Sequence, residues 1–254
     1  IIGMVSSDII IVGAGIGGLA TALGCLNAGL TVRVYEKAPE LGEIGAGIML
    51  TPNAVKCCGY LGIGEALSNV GVEPEESVYR RFDTADEMMR APLRSKMLKT
   101  YGAPYYHVHR ADLHRVLLDA ILEKDKSAVK TGHGIVSVEE LEQGVGATFE
   151  DEKYSEGGIL IGCDGIHSTV RTQLHGDGQP RFTGQMAWRG MVPADGLPAT
   201  VTEPVSVSWL GERKHVIQYG VRSRTFINYV AIVATKDWTE EGWNRRADPK
   251  DALE

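Results

Sequence analysis

Apolar residues open the chain's pattern as one short unbroken run, Ile9-Ile-Ile-Val12, between Asp8 and Gly13. Four β-branched residues without alternation predict a parallel strand buried on both faces. Residues 19–28 then predict a helix with Gly29 as its C-cap, and residues 31–35 a second strand that delivers Glu36. After Pro39 the alternation gives way to Gly42-Glu-Ile-Gly-Ala-Gly-Ile48, which runs into an extended Ile48-Met-Leu50. Pro52 starts a helix carrying Ala54, Val55, Leu61 and Ile63. Residues 78–89 alternate as a strand of a meander, and 92–104 form a low-signal connection whose Arg94, Lys96 and Lys99 read as a solvated face.

A short strand from Tyr105 leads into Arg110, and Asp112 predicts the N-cap of a helix bearing Leu113, Val116, Leu117 and Ile121. Weak alternation over 128–149, with turns at Gly132-His-Gly134 and Gln143-Gly144, predicts a small β-meander. Residues 159–161 repeat the buried-strand pattern, followed by a sharp turn at Asp164-Gly165 and a helix capped by Ser168. From Gly184 the texture changes. Strands over 186–192, 205–210, 215–219 and 225–233, separated by turns, predict an antiparallel sheet forming a second domain or a lid. Asp248-Pro249-Lys-Asp251 reads as a helix start that stops after about a turn, too short to stand alone. The expectation is a fragment, or a cleaved or split product, of a longer protein.

The chemistry concentrates in the first turn. Gly13, Gly15 and Gly18 have Gly-x-Gly-x-x-Gly spacing: one glycine for the tight turn, one for approach of a pyrophosphate, one for helix–strand packing. The helix N-terminus would face the phosphates, and the Glu36 carboxylate a ribose hydroxyl. The motif alone does not choose among NAD, NADP and FAD. Gly45, Ala46 and Gly47 form a loop that something flat can approach, or else a plain surface loop. Arg110, where strand meets helix, suits a phosphate or ribose, with a surface salt bridge as the alternative. His107, His109 and His114 lack a carboxylate or cysteine at a recognisable ligand spacing, so no metal is expected.

Composition removes other classes. With 26 Lys and Arg against 33 Asp and Glu the net charge is −7, which disfavours nucleic acid and anionic membranes. The uncharged stretch 9–30 holds six glycines and follows Asp8 rather than a basic segment, which argues against a signal peptide or membrane span. Cys25, Cys57, Cys58 and Cys163 form no C-x-x-C pair and read as buried free thiols, in keeping with a cytoplasmic setting.

Together the motifs resemble the FAD-dependent aromatic hydroxylases, the group A flavoprotein monooxygenases, and within them the salicylate-hydroxylase-like branch. The residues that carry the resemblance are Gly13-Ala-Gly-Ile-Gly-Gly18 with Glu36, Gly42-Glu-Ile-Gly-Ala-Gly-Ile48 with Pro52-Asn53, and Arg110-Ala-Asp-Leu. Cys163-Asp-Gly-Ile-His-Ser-Thr-Val-Arg171 and Trp188-Arg189-Gly190 complete the set. The resemblance implies a Rossmann-like α/β FAD-binding domain of the para-hydroxybenzoate-hydroxylase type, over 1–75 and 105–178. An antiparallel β-sheet substrate domain would occupy 76–104 and 179–254. It implies FAD held by Gly13, Gly15, Gly18, Glu36 and Lys37, by Gly45, Ala46, Gly47 and Ile48, and by Arg110, Asp164 and Gly165.

NAD(P)H would be the co-substrate, with no separate nicotinamide domain. Oxygen would add to the flavin C4a, and the hydroperoxide would hydroxylate a small phenol- or salicylate-type ring. Arg189, His215 and Tyr219, on predicted sheet strands, are the catalytic candidates. The family's later Gly-Asp motif, continuing Ala-Ala-His, has no counterpart; Gly176-Asp177-Gly178 stands directly after the Asp-Gly turn. A C-terminal polypeptide completing the fold is therefore an expected partner. The rival readings are another FAD or nicotinamide oxidoreductase, and a catalytically silent FAD-binding fragment.

Overall fold

The computed structural model describes residues 8–42, 45–176 and 178–236. The expected helix start at Asp248 and the aspartate of Gly176-Asp177 lie outside the described residues. In chain order the elements begin with β1 (Ile9–Val12), α1 (Ile16–Asn27), β2 (Val32–Glu36), β3 (Gly47–Leu50), α2 (Pro52–Tyr60) and α3 (Gly64–Val70). Next come β4 (Glu76–Arg81), β5 (Glu87–Pro92), α4 (Arg94–Tyr101), β6 (Tyr106–His109) and α5 (Arg110–Lys124). They continue with β7 (Val129–Thr131), β8 (Ile135–Leu141), β9 (Gly144–Phe149), β10 (Tyr154–Gly157), β11 (Ile159–Gly162) and α6 (Thr169–His175). The last are β12 (Gln185–Pro193), α7 (Ala199–Thr202), β13 (Val205–Gly211), β14 (Lys214–Val221) and β15 (Phe226–Ala234).

Contacts divide the chain into two compact units, Ile1–Glu43 with Leu113–Arg181, and Ile44–Asp112 with Phe182–Glu254. These limits differ from the boundaries expected at 75/76 and 104/105. Stretch 45–75 and the run into Arg110 are joined by the β3–β6 pairing and the Val72–His107 bridge, and they meet the large sheet where Gly47 bonds Asn228 and His107 stacks on Tyr219.

In the first unit a parallel sheet has the order β11-β1-β2-β7, with Ile9 opposite both Val32 and Ile159. Every residue of β1 is buried, as its unbroken apolar run requires. Strands β8, β9 and β10 make the small antiparallel meander. β7, expected within that meander, instead joins the parallel sheet beside β2. A core of Ile10, Val12, Tyr35, Ala147, Phe149 and Val170 ties sheet, meander and α6 together, with Tyr35 stacked on Phe149 at 4.3 Å.

In the second unit six strands lie in the order β12-β15-β14-β13-β4-β5. The sheet is antiparallel except for β13 and β4, which pair in parallel. β3 and β6 form a separate two-stranded ribbon. Three helices escape the sequence pattern: α3, since the helix from Pro52 ends at Tyr60 instead of carrying Leu61 and Ile63, and α4 and α7. α4 occupies the low-signal connection and buries no residue, so it shows no apolar stripe; α7 is a single turn. Arg94 at the head of α4 pairs with Glu73 and Glu75.

The cysteines are free, but only Cys58 is buried; Cys57 is exposed and Cys25 and Cys163 are intermediate. Burial raises the Cys58 thiol above its ordinary value. Among the described residues no helix is long and apolar enough to cross a membrane.

Candidate functional site

The glycine motif of the first unit sits where the parallel strands end. Gly13 takes a positive φ of 100° and packs so tightly that a Cβ there would come 2.4 Å from the Cys163 carbonyl oxygen. Helix α1 begins at Ile16, three residues earlier than expected, with Gly15 as its N-cap and no side-chain cap on its first N–H groups. Those groups are the donors an anion would use. Gly29, at φ 78°, closes the helix one residue past its C-cap Ala28.

Glu36 engages the motif itself. Its carboxylate accepts from the Ala14 N–H at 2.7 Å and from the Ala38 N–H at 2.9 Å, so it holds the glycine turn as well as facing the cleft. The Ala14 carbonyl is held from the other side by buried His114, whose Nε2 lies 2.7 Å away and must carry the proton. His114, a metal candidate by residue type alone, has its place under the glycine turn. Among the described residues no cluster of three or more His, Cys, Asp or Glu could hold a metal.

Asp164 accepts from Ser168 Oγ at 2.5 Å and from the Val170 N–H at 3.2 Å, while Ser168 caps α6 through the Arg171 N–H. The Asp-Gly turn is thus anchored to the helix that follows it. A cleft of about 320 Å³ joins these parts, and Gly13, Gly15, Glu36, Lys37, Asp164 and Gly165 line it. His133, Glu150, His167 and Thr169 line it too and were not foreseen. The signal for His133 was its place between two glycines; its Nδ1 stands 3.0 Å from Asp151 Oδ2 and its ring edge meets Tyr35. A Cβ on Gly15 would meet nothing within 4 Å, so its backbone is open to a ligand. Open glycine backbone, uncapped helix N–H groups and a cleft of this size fit the adenosine-pyrophosphate half of FAD.

The second unit brings other candidates together on one sheet face. In register, Tyr219 of β14 faces Asn228 of β15, and Arg189 of β12 faces Val230, two residues further along β15. Arg189 and Tyr219 therefore share a face. His215 lies on that face too, four residues before Tyr219, opposite Leu210 and Ile232. Burial, then the neighbouring Arg110 charge, lowers the Arg189 guanidinium from its ordinary value, while Tyr219 opposes that shift. Burial raises the Tyr219 phenol well above its ordinary range and lifts Tyr105 to about 12.

Beneath Tyr219 lies the ring of His107, stacked at 4.2 Å and 1% exposed, with burial holding its imidazole down to about 3. The Gly45–Ile48 stretch packs onto the same place. A Cβ on Gly47 would come 2.6 Å from Tyr219 Cε2, and the Gly47 N–H donates to Asn228 Oδ1 at 2.7 Å. The Arg110 N–H donates to the Ala46 carbonyl at 3.0 Å. Arg110 opens α5, so that helix starts two residues before the expected Asp112 cap. The Asp112 carboxylate is instead taken by Arg222 at 2.7 and 2.9 Å.

A glycine-loop parallel unit with a long β-sheet unit is the architecture of the Rossmann-like FAD-binding fold of the para-hydroxybenzoate-hydroxylase monooxygenases. Klebsiella pneumoniae HpxO, solved with FAD and uric acid, shares it at TM-score 0.83 and 30% identity, over 92% of this chain and 58% of that one. Residues 6–254 match the family model described as FAD binding domain, and the chain belongs to that family. It is homologous to FAD-dependent aromatic monooxygenases. The 3-hydroxybenzoate 6-hydroxylase 1 of Aquipseudomonas alcaligenes is 38% identical over 88% of this chain and 57% of its own length. The 6-hydroxynicotinate 3-monooxygenase of Pseudomonas fluorescens is 34% identical over 92% and 60%. The chain thus spans about three fifths of the length of these relatives.

Proposed function

We propose that the chain is the flavin- and substrate-binding portion of an NAD(P)H- and O₂-dependent hydroxylase of a small aromatic ring, a phenol or hydroxybenzoate. The observation that carries the reading is the sheet face shared by Arg189 and Tyr219, with the Gly45–Ile48 loop packed against Tyr219. FAD, when bound, supplies the oxygen chemistry, with NAD(P)H as its reductant. Gly13, Gly15, Gly18, Glu36, Lys37, Asp164 and Gly165 would hold its adenosine and pyrophosphate. Gly45, Ala46, Gly47, Ile48 and Arg110 would serve the rest.

The substrate's needs follow from chemistry. A phenolate ring is a better nucleophile than a phenol, so the site must favour the anion and exclude water. Arg189, exposed on this face, offers a cation to a carboxylate or phenolate. Tyr219, kept protonated by burial, can only donate to such an oxygen within the working pH range. His215, farther along the face, would touch the distal end of the ligand. The substrates named for the relatives, 3-hydroxybenzoate and 6-hydroxynicotinate, are ring carboxylates bearing a hydroxyl and suit this pairing of cation and donor. Four free thiols favour a reducing cytoplasm.

The test is coupling: in Arg189→Ala and Tyr219→Phe a smaller fraction of the NAD(P)H oxidised should yield hydroxylated product. Unchanged coupling together with unchanged substrate affinity refutes the assignment. Labelled O₂ appearing in the product separates a hydroxylase from a dehydrogenase. The rival is an FAD-binding chain without turnover. A purified yellow protein that oxidises no NAD(P)H would establish it.

A further inference from the structure

Resting on this reading, and deepening it, is the way one hairpin grips the Gly45–Gly47 loop. Asn228 of β15 is 0% exposed, in a strand otherwise apolar apart from Tyr229. Its Oδ1 accepts from the Gly47 N–H, which fixes which way the amide points, since a flipped amide would oppose two donors. Its Nδ2 is buried with no partner. A leucine would fill such a place without stranding a donor. What only the asparagine supplies is the acceptor for Gly47.

The contact is close on every side. A Cβ on Gly47 would lie 2.8 Å from Asn228 Cγ and 2.8 Å from Tyr219 Oη. At the other end of the loop, a Cβ on Gly45 would fall 1.8 Å from His109 Nε2. His109 Nδ1 stands 3.7 Å from Asp112 Oδ1, and Arg222, in the turn after β14, clamps Asp112 with both arms of its guanidinium. In that turn Arg222, Ser223 and Arg224 all adopt positive φ, at 51°, 54° and 64°. Three successive non-glycine residues hold that conformation only when their surroundings impose it. The β14–β15 hairpin therefore meets the loop directly at Gly47, where it also carries Tyr219, and reaches the Gly45 end through Asp112 and His109.

We propose that Asn228 is a positioning residue that, through the Gly47 amide, keeps the candidate flavin-contact loop in register with Tyr219. The substrate-side phenol and the loop then hold a single geometry. The first test needs no cofactor. By amide hydrogen exchange on the wild-type protein at its full encoded length, Gly47 should exchange at least about 100-fold more slowly than an unprotected amide. Exchange at the unprotected rate overturns the proposal whether or not FAD binds.

In Asn228→Ala the peptide covering 45–50 should exchange roughly tenfold faster while that covering β12 is unchanged. FAD affinity should fall about 5- to 30-fold, with a shifted absorption spectrum of the bound flavin. Asn228→Asp, which keeps an acceptor oxygen in reach, should restore loop protection and spectrum, and it serves where the alanine variant does not fold. Wild-type loop exchange and FAD affinity in Asn228→Ala overturn the proposal, as does faster exchange throughout the sheet. A wild-type protein that takes up no FAD refutes the functional reading instead, and the exchange of Gly47 is read independently of it.

Discussion

Replacing Gly47 by alanine should destabilise the fold even though its backbone lies outside the positive-φ region and a methyl is the smallest possible addition. The new Cβ would meet Tyr219 Cε2 at 2.6 Å, Asn228 Cγ at 2.8 Å and Tyr219 Oη at 2.8 Å. Neither neighbour can yield easily. The Tyr219 ring is stacked on buried His107, and the Asn228 amide is bonded to Gly47 itself. Overpacking of this kind costs about 1–3 kcal/mol. Loosening the Gly47–Asn228 hydrogen bond adds about 1 kcal/mol. The stiffer unfolded chain returns about 0.4–1 kcal/mol. The net loss is then about 1–3 kcal/mol, or roughly 3–10 °C in the melting temperature of a chain of this size. The control is Gly59→Ala in α2, where a Cβ meets nothing within 4 Å and the helix should gain about 0.5–1 kcal/mol. Melting followed by circular dichroism compares the two. A Gly47→Ala protein as stable as wild type, or a Gly59→Ala protein that falls as far, refutes the packing argument.

Gly15→Ala should fold with stability within about 0.5 kcal/mol of wild type, because the new methyl points into open space. If the proposed pyrophosphate site is right, its FAD affinity, measured by flavin fluorescence, should nevertheless drop about tenfold or more, since the methyl would enter the space the pyrophosphate takes. His107 should make stability depend on pH. Its folded value is depressed to about 3 from 6.5, so the unfolded chain takes the proton first. Stability is then lost as pH falls from about 6.5 towards 3, by up to about 1.4 kcal/mol per pH unit. His107→Phe keeps a ring under Tyr219 and should flatten that slope in urea midpoints taken between pH 7 and 4.5; an equal slope in both proteins contradicts it. Arg222→Ala removes a half-exposed bidentate pair and should cost about 0.5–1 kcal/mol, less at high salt; loss of several kcal/mol would mean Asp112 is stranded in a dry site.

What the sequence discloses is what depends on neighbours along the chain. The buried run Ile9–Val12, the Ser168 cap and the Pro52 helix start are local, and each stands where pattern and capping chemistry place it. α4 could not be seen for the converse reason: a helix with no buried face has no stripe to reveal it. The Asp112 cap failed because α5 already starts at Arg110, and the carboxylate is held by Arg222, 110 residues away. Likewise the bond from His114 to Ala14 spans 100 residues and that from Gly47 to Asn228 spans 181. One trace of Asn228 was visible: a lone amide at an inward position of the run Phe226-Ile-Asn-Tyr-Val. A polar residue there needs a partner, though alternation cannot say which.

Glu36 shows how far a motif residue can be from a pure ligand contact. Both of its carboxylate oxygens accept backbone N–H groups, one from the glycine turn at Ala14 and one from Ala38. Each oxygen keeps a second lone pair, so a ribose hydroxyl can still be received from the cleft. Removing the carboxylate would therefore strand two backbone donors and weaken the nucleotide site at once, and a fall in FAD affinity would not separate the two causes. Gly15 is free of that ambiguity, because nothing in the protein occupies the space its methyl would enter. Of the two, the glycine is the residue whose substitution reports on the cofactor alone.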